Sequence, residues 1–287
     1  MTEGQRGAWA DEGVDLVRGA SGGLLLGVPL VFTNEVWGLG HETRPGRALL
    51  VLGLTAVPLV ILNRTSGFRS TTDVRTADAL ADTIEALALG FVIAGGLMLA
   101  IRQVTFSTPL AAALATIAYE TVPCAIGIGL ARHLLRETGG GDSGDSGGTA
   151  AGKRDLNGTV VDLGATALGA TVVAISIAPT AEVLEVAATM TPGYLLVLVA
   201  TSLVASHCIV FVAGFSDQEH RRTHEGIFQH PLSETVAAYL MSLLVAAAML
   251  WLFQVIDGSV PSDHLLTVVV VLGLPACIGG AAGRLAT

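Results

Sequence analysis

Long apolar segments alternate with short polar ones along the whole chain. A helix needs about 20 mostly apolar residues to cross the roughly 30 Å of hydrocarbon in a bilayer. Eight segments reach or approach that length and are predicted to be transmembrane helices, at residues 18–38, 47–63, 83–101, 110–132, 160–187, 193–214, 233–255 and 264–283. The pattern therefore predicts an all-α, polytopic membrane protein with about eight transmembrane helices.

The polar segments between these helices divide the chain. Residues 137–158 contain the run ETGGGDSGDSGG and are predicted to be a flexible Gly/Ser/Asp linker, because this composition buries too little apolar surface to fold. Residues 1–136 then form a first group of four helices, and residues 159–287 form a second. A further polar segment, 215–232, carries three of the seven His residues.

Composition agrees with a membrane location. Hydrophobic residues make up 52% of the chain and charged residues 14%, whereas a soluble domain carries about 25% charged residues. The net charge of −9 argues against nucleic acid as a partner, since binding to phosphates needs a positively charged surface. The lipid bilayer is the partner that we expect, and a homo-oligomer within the bilayer is left open.

The distribution of Lys and Arg predicts the orientation. Cytoplasmic loops of membrane proteins are enriched in these residues. With eight crossings, twelve of the fifteen Lys and Arg residues fall on the side that holds both termini. Both termini are therefore predicted to be cytoplasmic, in the cell membrane. Arg132 and Arg284 end the fourth and eighth predicted helices, and we interpret them as anchors whose side chains extend to the membrane surface.

The two groups of four helices resemble each other at a spacing of about 150 residues. Glu35 is matched by Glu182 at a spacing of 147 residues. Pro123 is matched by Pro275 at a spacing of 152 residues. Each group has an even number of helices, so the chain is predicted to contain two parallel four-helix repeats, related by an axis along the membrane normal.

Each repeat carries one carboxylate shortly after a proline inside a predicted helix. The first predicted helix reads GVPLVFTNEVWGLG and places Glu35 after Pro29. The fifth reads AISIAPTAEVLEVA and places Glu182 after Pro179. A proline removes a backbone hydrogen bond and kinks or breaks a helix. Because a carboxylate inside a membrane is costly and marks a functional site, both are predicted to face a pathway between the repeats.

Neutral oxygen atoms accompany these carboxylates in the sequence. They belong to the hydroxyls of Thr33 and Thr180, the side chain of Asn34, and the carbonyls that a broken helix releases. Carboxylates together with neutral oxygens suit a hard cation such as Ca²⁺, or a proton-coupled site. The alternative is a carboxylate near the membrane surface, because Glu35 precedes His41 by only six residues, or about 9 Å of helix. Which metal binds, if any, is left open.

Three further polar residues lie within predicted helices. Glu185 follows Glu182 on the same helical face, and is either a further ligand or a residue of the outer surface. Glu120 lies in the fourth predicted helix, where it either faces the same cavity or pairs with an Arg. His207 is either a proton relay or a packed residue that bonds to a neighbouring helix.

Signatures of catalysis and of cofactor binding are missing from the sequence. It has no nucleophile and base pair, HExxH motif, Walker motif or dinucleotide fingerprint. The three cysteines lie inside apolar segments without metal-ligand spacing. We therefore expect neither an enzyme nor a bound cofactor.

The segments GVPLVFTNEVW and APTAEV resemble an uncharacterised prokaryotic family of integral membrane proteins, a domain of unknown function. The resemblance runs from the first predicted helix to the eighth and leaves out the linker. It implies membership of a membrane protein family and no particular activity.

Paired carboxylates in broken helices lead to our hypothesis for the function. We expect a cation channel or a secondary transporter, for Ca²⁺ or coupled to H⁺. The main alternative is a non-transporting scaffold or sensor that uses the 215–232 loop. A membrane-embedded enzyme is the third alternative.

Overall fold

A computed structural model describes residues 3–34, 36–38, 43, 45–65, 76–138, 158–213, 231–256 and 262–285. Every regular element in these ranges is helical, and no strand occurs in them. The elements are α1 (Glu3–Val31), α2 (Pro45–Thr65), α3 (Thr76–Ala100), α4 (Leu110–Thr138), α5 (Gly158–Ile177), α6 (Ala181–Thr189), α7 (Pro192–His207), α8 (Pro231–Leu252) and α9 (Ser262–Leu285). α7 continues into a π-helical turn, Cys208–Val212. The predicted all-α fold is confirmed.

The number of membrane-crossing helices agrees with the prediction of about eight. Within the described ranges, seven helices are long and apolar enough to cross a membrane, and α5 with α6 forms a bent pair that counts as an eighth. Most of the predicted linker 137–158 and of the 215–232 loop lies outside the described residues.

The fifth predicted helix, 160–187, is not continuous. α5 and α6 meet at an angle of 92° across the three residues Ala178–Thr180. Pro179 explains the break, because its ring blocks the helical hydrogen bond and pushes the preceding residue out of the helical conformation. Thr180 is extended, with φ −89° and ψ 155°.

The first predicted helix, 18–38, is also interrupted. α1 begins at Glu3, well before the apolar segment, and ends at Val31, two residues after Pro29. Phe32 and Thr33 are not helical, and a short helical turn follows at 36–38. The two predicted helices that contain the matched pair Glu35 and Glu182 are therefore both broken near a proline.

α4 and α9 are the central helices of the two halves. α4 packs against α1, α2 and α3, and α9 packs against α5, α7 and α8. A Cβ on Gly22 of α1 would lie 2.6 Å from the carbonyl oxygen of Gly127 of α4. A Cβ on Gly279 of α9 would lie 2.5 Å from the carbonyl oxygen of Gly169 of α5. Only residues without a side chain allow backbones to approach this closely.

α3 and α8 end in the same manner. Arg102 and Gln254, which follow these helices, have φ values of 60° and 58°, in the left-handed region. The N–H groups of Val104 and Ile256 then donate to a carbonyl six residues earlier, at 3.1 and 3.3 Å. This arrangement satisfies carbonyls that a helix end leaves without a partner.

These features recur at the spacing of the predicted repeat. The members of the two glycine pairs are 147 and 152 residues apart, and the two left-handed residues are 152 apart. The recurrence supports two parallel four-helix repeats, an arrangement that stays a prediction.

Apolar side chains cover the outer helices, as contact with lipid requires. They include Leu54 of α2, Val92 of α3, Leu168 of α5 and Leu244 of α8, each more than 60% exposed. α9 is enclosed by contrast, because residues 268–281 are all buried.

Candidate functional site

The two helix breaks meet in the folded protein. Asn34, just beyond the end of α1, donates its backbone N–H to Oε1 of Glu182 at 3.3 Å. Glu182 lies in the first turn of α6 and is partly buried. We call the region formed by residues 31–34 and 177–182 the junction. The contact joins two segments that the pattern of Pro and Glu residues predicted to belong to one site.

Internal hydrogen bonds hold both breaks. The hydroxyls of Thr33 and Thr180 donate to carbonyl oxygens three residues earlier, at 2.6 and 2.8 Å. The indole N–H of Trp37 donates to the carbonyl of Val31 at 2.9 Å. Some of the oxygen atoms expected to be ligands are therefore engaged in closing helix ends, although each threonine oxygen keeps a lone pair that could face an ion.

The other predicted members of the site either lie outside the described residues or are exposed. Glu35 lies outside the described residues, and so do His41 and Arg44, so its pairing with Glu182 stays a prediction. The side chain of Asn34 is exposed. Glu185 is exposed on α6, and the structure describes no hydrogen bond or ion pair to it.

The end of α1 lies beside the middle of α4. The two helices are antiparallel, since Gly22 approaches Gly127 while Gly27 approaches Cys124. Val31 follows Gly27 by four residues in α1, and Glu120 precedes Cys124 by four residues in α4, so Val31 is level with Glu120. Glu120 is ten residues from the start of α4, or about 15 Å, which is half of the hydrocarbon thickness. The break in α1 therefore lies beside the middle of α4, ten residues from the start of that helix.

Glu120 is the most deeply buried carboxylate among the described residues. It is 1% exposed, and its Oε1 has no hydrogen-bond partner. Thr116, one turn earlier on the same face of α4, is also 1% exposed, and its hydroxyl has no partner either. Of the two alternatives for Glu120, the pairing with an Arg is not seen within the described ranges.

His207 contacts a neighbouring helix. Its Nδ1 lies 3.1 Å from the hydroxyl of Thr235 on α8, and its ring centroid lies 5.2 Å from that of Phe211. These contacts favour the interpretation of His207 as a packed residue, and its role as a proton relay stays a prediction.

Arg284 is not an anchor at the membrane surface, contrary to the expectation from its place at the end of α9. Its side chain is 1% exposed, its Nη2 donates to Oε1 of Glu234 on α8, and its guanidinium lies 5.4 Å from the ring of Phe211. A carboxylate and an aromatic face contact the cation inside the protein, so its charge is compensated there and not at the membrane surface. The side chain of Arg132 lies outside the description.

Two arginines that the sequence did not single out connect the halves. Nη1 of Arg102 donates to the carbonyl of Thr189, and its guanidinium lies 4.6 Å from the ring centroid of Tyr194. Nε of Arg18 donates to the carbonyl of Ala213 at 2.8 Å. The left-handed backbone at Arg102 turns its side chain toward the other half, and nothing in the local pattern of the sequence signals this.

Metal-binding clusters are not seen in the described part of the chain. No group of three or more His, Cys, Asp or Glu side chains there is arranged to hold a metal ion.

Comparison with known proteins identifies the family. A family model described as "Putative integral membrane protein (DUF2391)" matches residues 15–287, a range that also spans the linker. The chain belongs to this family. It is therefore an integral, multi-pass membrane protein, as its apolar helices indicate. Searches of curated proteins and of solved structures gave no match.

Proposed function

We propose that this protein is a secondary transporter or channel for a cation, and that the ion passes the junction. The observation that carries the proposal is the hydrogen bond from Asn34 to Glu182, which brings two broken helices together around a carboxylate. Irregular backbone at membrane depth is tolerated where it is enclosed by protein or lines a polar cavity. Transporters use such broken helices to bind ions at the seam between repeats.

A proton is the better-supported ion, and Ca²⁺ is the second. Ca²⁺ takes six to eight oxygen ligands, whereas a proton needs one carboxyl group. The junction offers the Glu182 carboxylate, together with the Thr33 and Thr180 hydroxyls that already donate to backbone carbonyls. This supports coupling to H⁺, with Glu35 as the second carboxylate of the proposed site.

The proposal includes two parallel repeats with both termini in the cytoplasm. With eight crossings, twelve of the fifteen Lys and Arg residues would lie on the side of the termini, which supports this orientation. The recurrence of glycine crossings and helix ends at spacings of 147 and 152 residues supports the repeats.

Ion flux in proteoliposomes tests the proposal. Wild-type protein should carry H⁺ or Ca²⁺ into vesicles that contain an indicator dye, and Glu182→Gln and Glu35→Gln should carry much less. Glutamine keeps an acceptor for Asn34 but carries no charge and cannot bind or release a proton, so Glu182→Gln should slow flux about tenfold or more, a loss of about 1.4 kcal/mol.

Glu185→Gln is the matched control, because it removes the same charge from the same helix at an exposed position. Its flux should equal that of the wild type. If Glu182→Gln and Glu185→Gln carry ions equally well, the junction is not the pathway. If the wild type carries neither ion, the transport proposal is wrong, and the scaffold or sensor becomes the better hypothesis.

A further inference from the structure

Glu120 and Thr116 form an isolated polar pair inside the first half. Both are 1% exposed, and neither the Glu120 Oε1 nor the Thr116 hydroxyl has a hydrogen-bond partner. Their spacing of four residues places them one above the other on one face of α4. Buried polar groups are nearly always hydrogen-bonded, so two neighbouring exceptions indicate that a partner is missing.

Among the described residues around this pair, no counter-charge is seen. α4 packs against α1, α2 and α3. In these helices the stretches 19–34, 48–63 and 86–101 contain no charged residue at all. The titratable groups nearest in sequence are on α4 itself: Tyr119, whose hydroxyl lies 3.4 Å from that of Thr43, and Cys124, which packs against Gly27. Neither can neutralise a carboxylate.

The second half shows that packing does not require this pair. At a spacing of 152 residues, the positions of Thr116 and Glu120 correspond to Val268 and Leu272, which are both fully buried. Leu272 lies beside the end of α5, as Glu120 lies beside the end of α1. Apolar side chains therefore fill the equivalent place, and the carboxyl group has no structural task that an apolar residue could not perform.

We propose that Glu120 and Thr116 form a proton-binding site that exchanges with the junction through the break in α1. The carboxyl group takes up one proton, which neutralises it within the apolar interior, and later releases that proton; no electron moves. The Thr116 hydroxyl, which both donates and accepts, passes the proton between Glu120 and water at the break. The role of this proton as the coupling ion rests on the proposed transport function. The binding of the proton to Glu120 does not rest on it.

The location supports a proton rather than a metal ion. An ionised carboxylate without a partner is costly in the apolar interior of a membrane protein, and a bound proton removes the charge, which causes most of that cost. A metal cation would bring its own charge and would need several more oxygen ligands. The described surroundings of Glu120 offer one further side-chain oxygen without a partner, that of Thr116.

Infrared spectroscopy of the full-length protein in lipid nanodiscs tests the site without any flux assay. The wild type should show a carbonyl stretch of a protonated carboxyl group at neutral pH. Glu120→Gln should lose this band, and Glu182→Gln should keep it. Transfer to D₂O should shift the band as the proton exchanges, and Thr116→Val should slow that shift.

Three results would overturn the proposal. One is a carboxyl band that is the same in wild type and Glu120→Gln. A second is a band that stays unshifted in D₂O while the protein is folded. A third is loss of the band when sodium is added at constant pH, which would assign the site to that ion.

Glu120→Asp is a second variant that tests the assignment if Glu120→Gln does not fold. It keeps a carboxyl group one methylene shorter, so the band should move rather than vanish, and an unmoved band would also contradict the assignment. If the Glu120 band is present and exchanges while the wild type carries no ions, the binding site stands and the transport proposal fails.

Discussion

Replacing Gly169 by Ala should destabilise the protein, although Ala is the better helix former. Gly169 lies where α5 crosses α9. An added Cβ would lie 2.8 and 2.9 Å from the backbone N and Cα of Gly283, and closer still to the carbonyl oxygen of Gly279. All of these are backbone atoms, so the two helices would have to move apart, since no side chain can rotate away.

The size of the effect follows from two opposing contributions. Overpacking a close-packed site costs about 1–3 kcal/mol. Replacing Gly by Ala within a helix gains up to about 1 kcal/mol. Gly164→Ala separates the two contributions, because Gly164 lies in the same helix and nothing lies within 4 Å of its added Cβ. Both variants gain the same propensity, so Gly169→Ala should be less stable than Gly164→Ala by about 1–3 kcal/mol.

Reversible unfolding in mixed micelles, followed by circular dichroism, measures these free energies of unfolding. Equal stability of the two variants would refute the close crossing of α5 and α9. Gly22→Ala extends the test to the other half. With two parallel repeats its cost should be similar to that of Gly169→Ala, because Gly22 crosses α4 at Gly127 in the same way.

Two further predictions concern buried polar groups. Glu234→Gln should cost about 3–5 kcal/mol and more than Arg284→Met, because the Arg284 side chain is 1% exposed and that of Glu234 is 24% exposed. Thermal unfolding in detergent compares them, and the reverse order would contradict the buried pair. Glu120→Leu, which installs the residue found at 272, should stabilise the protein by about 1–3 kcal/mol, since it removes a buried group without a partner. The same variant should abolish flux driven by a pH gradient, and a less stable variant would show that the carboxyl group has a structural task.

Hydropathy predicts the crossing helices well because lipid imposes one simple requirement on length and polarity. The breaks are partly predictable: Pro179 marks where α5 ends, since its chemistry forbids a continuing helix. The 92° angle between α5 and α6 is not predictable from Pro179, because a proline allows many bend angles and α6 also packs against α9, which is distant in the chain. Local chemistry thus locates a break, and tertiary packing orients it.

The candidate site divides in the same way. Glu182 is predicted from its motif, because a carboxylate beside a proline stands out in an apolar segment. The isolation of Glu120 is not predictable, since apolar residues occur on all sides of the first part of α4 and its sequence does not tell which face packs against α1. The prediction that Arg284 is a surface anchor is wrong for a related reason, because its partner Glu234 is 50 residues away in the chain.

Comparing the two halves separates what packing requires from what the site requires. The glycine crossings and the left-handed helix ends occur in both halves, so packing alone accounts for them. Glu120 and Thr116 occur in one half only, while Leu272 and Val268 fill the equivalent place in the other. If Glu120 binds a proton as proposed, a second buried carboxyl at 272 would add an energetic cost in a place where packing needs only an apolar side chain. The asymmetry is therefore what we expect if a duplicated scaffold keeps one proton-binding site beside a junction that both halves build.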